Sequence, residues 1–121
     1  MTYASPAETR ERITIEPSDR PVVVTFHDAV IASTKNSQIL NEKGRDPVVY
    51  VPMGDVEMAF LEKTPKTTTC PFKGEASYWS ISAEGAGAQD AIWAYESPRE
   101  GVEAIAGHMA FDPRYFRVVV G

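Results

Sequence analysis

The sequence predicts a mainly β fold of antiparallel strands with one short helix near residues 98–106. Short apolar runs alternate with polar residues at a period of two, turn residues recur at close spacing, and only one segment is read as a helix. No internal repeat interrupts the pattern, and alternating βα units are missing, which disfavours a parallel sheet.

Residues 1–11 are polar and contain Ser5 and Pro6. They are expected to form a flexible N-terminal tail ahead of a single domain over 12–121. "RITIEP" (12–17) sets Ile13 and Ile15 between polar neighbours, as in a half-buried strand. "PVVVTFHDAVIAST" reads as strands at 22–26 and 29–33, joined in a hairpin at His27-Asp28. "KNSQILNEKGRD" is polar, contains Gly44, and is expected to be mostly loop. "PVVYVP" (47–52) is a strand closed by proline at each end.

Val56, Met58 and Phe60 alternate with Glu57, Ala59 and Leu61, predicting a strand over 56–62 after a turn at Gly54-Asp55. Residues 75–84 and 90–97 form the next strand pair, with "GAGAQ" as the connecting loop. The helix signal follows. Ser97 stands at the cap, Pro98 at the first helical position and Glu100 three residues after the serine. Val102, Ile105 and Ala106 then share one face, and Gly107 supplies a stop. "HMAFDP" and "YFRVVVG" complete the chain as strands separated by an Asp-Pro turn.

A chain of 121 residues has room for one core, and 43% apolar with 24% charged residues is ordinary for a globular protein. The net charge of −5 argues against nucleic acid as a partner and gives no attraction to an anionic membrane. No apolar run is long enough to cross a bilayer, the first dozen residues lack a secretory pattern, and a single cysteine cannot form an internal disulfide. The expected compartment is therefore the cytoplasm. Cys70, His27 and His108 lack the paired spacing of a zinc site, so no metal is expected. Phosphate-binding glycine motifs and a serine nucleophile elbow are absent, and no cofactor is expected.

The chemistry that remains gathers around "TTTCPFKGEASYWS", residues 67–80. Lys73 follows Cys70 by three residues in a stretch where Pro71 and Gly74 favour a tight reversal. An ammonium beside a thiol favours the reactive thiolate, whereas a free cysteine equally serves as a small buried hydrophobe. Both readings stand. The aromatic group Tyr50, Tyr78, Trp79, Trp93 and Tyr95 either lines a pocket or fills the core. Strand alternation sends Tyr78 and Trp79 to opposite faces and puts Trp93 and Tyr95 on one. Asp55 follows the turn "PMGD", where it caps the next segment or supplies an acid–base group. His108, after the predicted helix stop, is a second proton carrier by chemistry.

"YVPMGDVEMAFLEKTPKTTTCPFKGEASYWS", then "AIWAYESP", then "IAGHMAF" closely resemble the bacterial family called domain of unknown function 427. The pattern is Tyr-x-Pro-x-x-Asp-Val followed by Thr-x-Cys-Pro-x-Lys-Gly-x-Ala-x-Tyr, then Trp-x-Tyr-x-x-Pro and Ile-Ala-Gly-x-x-Ala-Phe. It runs from about residue 20 to the C-terminus, and Cys-Pro-Phe-Lys-Gly is its most specific element. "AFDPRYFRVVV" departs from the pattern at Asp112-Pro113. The resemblance implies a compact fold similar to the β-tent of the zinc-binding Mss4-like proteins, with the metal ligands missing here. Some proteins of that architecture bind small molecules between their sheets, and others reduce oxidised methionine with a cysteine.

The expected function is binding of a small polar or anionic ligand in a cleft at the Cys70–Gly74 turn. Tyr50, Arg45, Thr69, Gly74, Tyr78 and Trp79 are the expected contacts. A cysteine-dependent enzyme is the alternative, with Cys70 as nucleophile or redox thiol, Lys73 as its activator and Asp55 as proton carrier. A non-enzymatic homodimeric interaction module is the third.

Overall fold

The computed structural model describes residues 2–121. One α-helix, α1 (Pro6–Arg12), precedes ten strands. These are β1 (Ile13–Ser18), β2 (Val22–Phe26), β3 (Ala29–Thr34), β4 (Ser37–Glu42), β5 (Val48–Pro52), β6 (Leu61–Cys70), β7 (Gly74–Ala83), β8 (Ala86–Ala94), β9 (His108–Phe111) and β10 (Arg117–Val120). The fold is mainly β, as expected. Seven strands form an antiparallel sheet in the order β1-β4-β5-β9-β8-β7-β6, and three form a second sheet in the order β10-β2-β3.

The period of two explains how the sheets pack. Val22, Val24 and Phe26 point one way from β2 and are buried, with Ile31 from β3. They meet Val51, Trp79, Ile81, Ile92, Met109 and Phe111 from one face of the large sheet, forming the main core. A second cluster holds Ile13, Leu40, Tyr50, Ala76, Tyr95 and Ala110, whose strand positions are offset from the first set. The large sheet therefore carries apolar side chains on both faces. Its second face is covered by chain that is largely not strand: Val102 and Ile105 are fully buried there, and Phe72 packs against the same cluster. The candidate site lies on this face.

Several expectations change. "KNSQILNEKGRD" supplies β4, because pairing with β1 on one side and β5 on the other overrides its polar composition. Residues 56–60 are not strand: two 3₁₀ turns, Met53–Asp55 and Met58–Phe60, precede β6. Val56 does dip into the core, bridging Ala32, but Met58 and Phe60 face solvent, so their alternation did not mark a buried face. The β7–β8 connection is the two-residue turn Glu84-Gly85, with φ of 54° and 71°, rather than the longer "GAGAQ" loop. Positive φ at both central residues is what a tight hairpin needs, and Gly85 accepts it readily.

The helix has also moved. Residues 98–106 form no α-helix, only a 3₁₀ turn at Glu103–Ile105. Instead α1 forms in the segment expected to be a loose tail. Its Ser5 Oγ accepts from the Glu8 amide while the Glu8 carboxylate accepts from the Ser5 amide, a reciprocal capping box with Pro6 at the first position. Thr9 of α1 is buried against Gly101, where an added Cβ would lie 3.2 Å from Thr9 Cγ2. No helix among the described residues is long and apolar enough to cross a membrane.

Candidate functional site

The Cys70–Gly74 turn is pinned from outside by two segments. The Ala4 amide donates to Pro71 O at 3.0 Å, and the Arg99 amide donates to Lys73 O at 3.0 Å. Arg99 Nη2 donates to Ala4 O at 3.1 Å, tying the two straps to each other. Gly74 closes the turn at φ 105° with an Arg99 carbon 3.3 Å from where a Cβ would sit. Only glycine combines that backbone with that approach.

Under the turn lies Glu42, the last residue of β4. It shares a strand face with Leu40, so its side chain follows Leu40 toward the second cluster. The carboxylate is 5% exposed and meets three cations. Lys73 Nζ donates to Oε1 at 3.1 Å, Arg12 Nε donates to Oε2 at 3.0 Å, and Arg45 Nε lies 3.7 Å from Oε2. Burial pushes the carboxyl up. The hydrogen bonds from Arg12 and Lys73 and the charges of Lys73 and Arg45 outweigh it and hold the pKa below the ordinary carboxylate value. Glu42 is therefore ionised at neutral pH. Lys73 is itself only 13% exposed, whereas Arg12 and Arg45 are 40% and 70% exposed.

Two cavities border this ion cluster. An aromatic chamber of about 330 Å³ is walled by Tyr50, Tyr78, Trp93 and Tyr95, with Val48 and Leu40 at the strand side. Its charged rim carries Arg45, Asp46, Lys66, Asp90, Asp112 and Arg114. A turn chamber of about 280 Å³ is walled by Thr69, Cys70, Pro71, Phe72 and Arg12. Glu42, Arg45, Lys73 and Tyr95 line both. In the turn chamber three cations face one carboxylate, a surplus of two positive charges on a chain whose net charge is −5. The aromatic chamber is balanced between acids and bases, and there Arg114 forks onto Asp112 and Thr64 donates to Asp90.

Tyr78 on β7 and Trp93 on β8 are direct cross-strand partners, and both are half-buried. Lys66 Nζ stands 4.7 Å from the Tyr78 ring centroid, and Tyr78 Oη shares a 2.8 Å hydrogen bond with Thr68 Oγ1. Trp93 Nε1 donates to Tyr50 Oη at 3.3 Å. Burial pushes the Tyr50 phenol up to about 12 against the opposing Trp93 hydrogen bond. Burial, helped by the neighbouring Tyr50 and Cys70, also raises the Tyr95 phenol. Both phenols stay neutral at physiological pH and act as hydrogen-bonding groups rather than bases.

Of the residues singled out in the sequence, Arg45, Tyr50, Thr69, Cys70, Lys73 and Tyr78 come together around the two chambers. Gly74 shapes the turn without lining either. Trp79 does not join them: it packs in the core between the sheets, on the face opposite Tyr78. Asp55 is also elsewhere, accepting from Thr34 Oγ1 at 2.7 Å beside a separate recess near Val30 and Glu57. His27 and His108 line neither chamber, and His108 Nδ1 is engaged with Ala106 O. Cys70 and Lys73 line the same chamber, with different partners. The ammonium is held by Glu42, and the half-buried Cys70 packs against the second apolar cluster.

Glu42 and Arg12 were not singled out in the sequence. Glu42 lies in a segment read as loop and Arg12 opens the segment read as the first strand, and the only available signal was the two-residue spacing of Leu40 and Glu42. No group of three or more His, Cys, Asp or Glu side chains with metal-holding geometry occurs among the described residues.

No curated protein matches the chain. Residues 14–121 match the family described as Domain of unknown function (DUF427). That span contains the Cys70–Gly74 turn, Glu42 and the whole aromatic wall, while Arg12 lies just ahead of it. With all ten strands but the first residue of β1 inside the match, the chain belongs to the DUF427 family.

Proposed function

We propose that the chain is a binding protein for a small anionic molecule, seated at the Cys70–Gly74 turn between the two chambers. One observation carries the reading: three cations converge on a single buried carboxylate, leaving a local positive surplus on an acidic protein. Low-dielectric walls strengthen such a field and raise the local concentration of anions. Half-buried Tyr78 and Trp93 add an apolar wall with hydrogen-bonding tips, the usual mixture of a small-molecule site.

A cysteine-dependent enzyme is less well supported. Its activator would be Lys73, and that ammonium is committed to Glu42 at 3.1 Å. Asp55, the intended proton carrier, lines a different recess.

The test is a thermal-shift panel of small anions, neutral polyols and amines at low and high salt. A ligand that binds only the folded state raises the transition in proportion to RT ln(1 + [L]/Kd). Anions should stabilise the protein, neutral and cationic compounds should not, and salt should weaken the effect. Cys70→Ala should retain the response. Stabilisation by amines instead of anions, or by nothing in the panel, defeats the reading.

A further inference from the structure

The ion cluster contains more hydrogen-bond donors than its carboxylate can use. Each guanidinium has five N–H donors in a planar fork. Arg12 spends its Nε on Glu42 Oε2, and the Nε of Arg45 faces the same oxygen at 3.7 Å. Among the described residues, no hydrogen bond engages the terminal nitrogens of either. Both side chains line the turn chamber, and Arg12 lies 4.9 Å from the Phe72 ring centroid, which places its head over the turn. Two charged forks therefore converge on one small cavity with their terminal N–H groups unspent.

We infer that the turn chamber takes a dianionic, phosphate-type group, held by the terminal donors of Arg12 and Arg45 with Lys73 behind it. The inference rests on the proposed anion-binding function and narrows its ligand class. A monocarboxylate has two oxygens and one charge, and one fork satisfies it. A phosphate-type dianion offers three or more oxygens and matches both the surplus of two charges and the presence of two forks. Arg12 is then a specificity-determining residue. It lies ahead of the family-matched residues 14–121, so this chain completes the hold with its own N-terminal segment.

That segment is built to present it. The capping box fixes the start of α1, the buried Thr9 anchors its middle against Gly101, and Arg12 is its last residue. The ligand's source is either free phosphate or a phosphomonoester whose organic part reaches the aromatic chamber.

The experiment follows phosphorus-31 NMR titration and calorimetry of the full chain with inorganic phosphate, phenyl phosphate, benzoate and acetate. Phosphate should bind more tightly than either carboxylate, and its affinity should rise from pH 5.5 to 8 as the probe becomes a dianion. Arg12→Gln and the more exposed Arg45→Gln should each weaken phosphate at least tenfold while remaining folded by circular dichroism. Arg117→Gln, on exposed β10, should change nothing. Phenyl phosphate binding more tightly than phosphate identifies a phosphomonoester as the ligand; equal or weaker binding identifies free phosphate. Carboxylates binding as well as phosphate, or phosphate binding unaffected in both Arg12 and Arg45 variants, overturns the inference and leaves the anion-binding function standing. No binding by any of the four anions overturns both.

Discussion

Replacing Glu42 by glutamine should be the most destabilising isosteric change on the cleft face. The carboxylate and the Lys73 side chain are 5% and 13% exposed, so the variant strands an ammonium largely out of water. Removing one member of a buried pair is worth about 3–5 kcal/mol at full burial. Arg12 and Arg45 can turn to solvent, and such exposed pairs contribute about 0–1 kcal/mol each. Glutamine also keeps one acceptor oxygen. The loss should therefore be roughly 2–3 kcal/mol, or a melting temperature lower by about 10 °C for a domain of this size. Urea unfolding read by tryptophan fluorescence measures it. The double variant Glu42→Gln/Lys73→Met removes the stranded charge and should recover more than half of the loss.

The pH dependence supplies a second arm. The folded-state pKa of Glu42 lies below its unfolded value, so its stabilisation is present above the unfolded pKa of about 4.3 and is lost as pH falls through the folded pKa. The gap between wild type and Glu42→Gln should therefore be full at pH 7 and close as the pH is taken below about 4. A single-variant loss under about 0.5 kcal/mol, the range of ordinary surface substitutions, or a gap unchanged from pH 7 to pH 3, would refute the buried ion cluster.

Three further outcomes follow from particular contacts. Gly74→Ala should lose more stability than Gly44→Ala: both have positive φ, but Gly74 alone faces an Arg99 carbon at 3.3 Å, whereas nothing lies within 4 Å at Gly44. Equal losses in chemical denaturation would mean that the turn is not clamped by the 97–99 strap. Tyr50, with its phenol raised from 10 to about 12, should make the protein less stable by roughly 2–3 kcal/mol as pH climbs through that interval. Tyr50→Phe should flatten that alkaline slope, and an unchanged slope counts against the burial. Ser5→Ala should weaken α1 by about 1 kcal/mol. Faster hydrogen exchange at the Glu8 and Thr9 amides should report it, and unaltered exchange would show that the capping box does not hold the helix.

The helix shows what a local signature can and cannot settle. The pattern Ser-Pro-x-Glu occurs twice, at Ser5–Glu8 and at Ser97–Glu100. Chemically the two are equivalent starts. After the first come Thr9, Arg10 and Glu11, which continue a helix, and Thr9 finds a burial site against Gly101. After the second comes Gly101 itself at φ 106°, and the Arg99 amide is drawn away to Lys73 O. Of the apolar face read at Val102, Ile105 and Ala106, the first two are nevertheless buried, while Ala106 follows the 3₁₀ turn and is exposed. Strand periodicity failed over 56–60 but held at β7. Tyr78 and Trp79 fall on opposite faces of β7, and that parity alone separates a cleft residue from a core residue.

The same parity explains why the centre of the site was hidden. Glu42 lies inside a stretch whose polar composition reads as loop, and nothing local shows that β1 and β5 will pair on either side of it. Once β4 is a strand, Leu40 and Glu42 must share a face, and a carboxylate carried into an apolar cluster must collect cations. Those cations come from three separate places in the chain, at Arg12, Arg45 and Lys73, so no contiguous motif could announce them. The cysteine was the visible landmark because Cys-Pro-Phe-Lys-Gly is contiguous. Its lysine is the residue that pairs with the buried carboxylate, and its glycine closes the turn that carries that lysine. The thiol packs against the cluster beside them. A reversal clamped by backbone hydrogen bonds from Ala4 and Arg99 gains its positional accuracy from those bonds, and accuracy in placing Lys73 over Glu42 is what the proposed anion site requires.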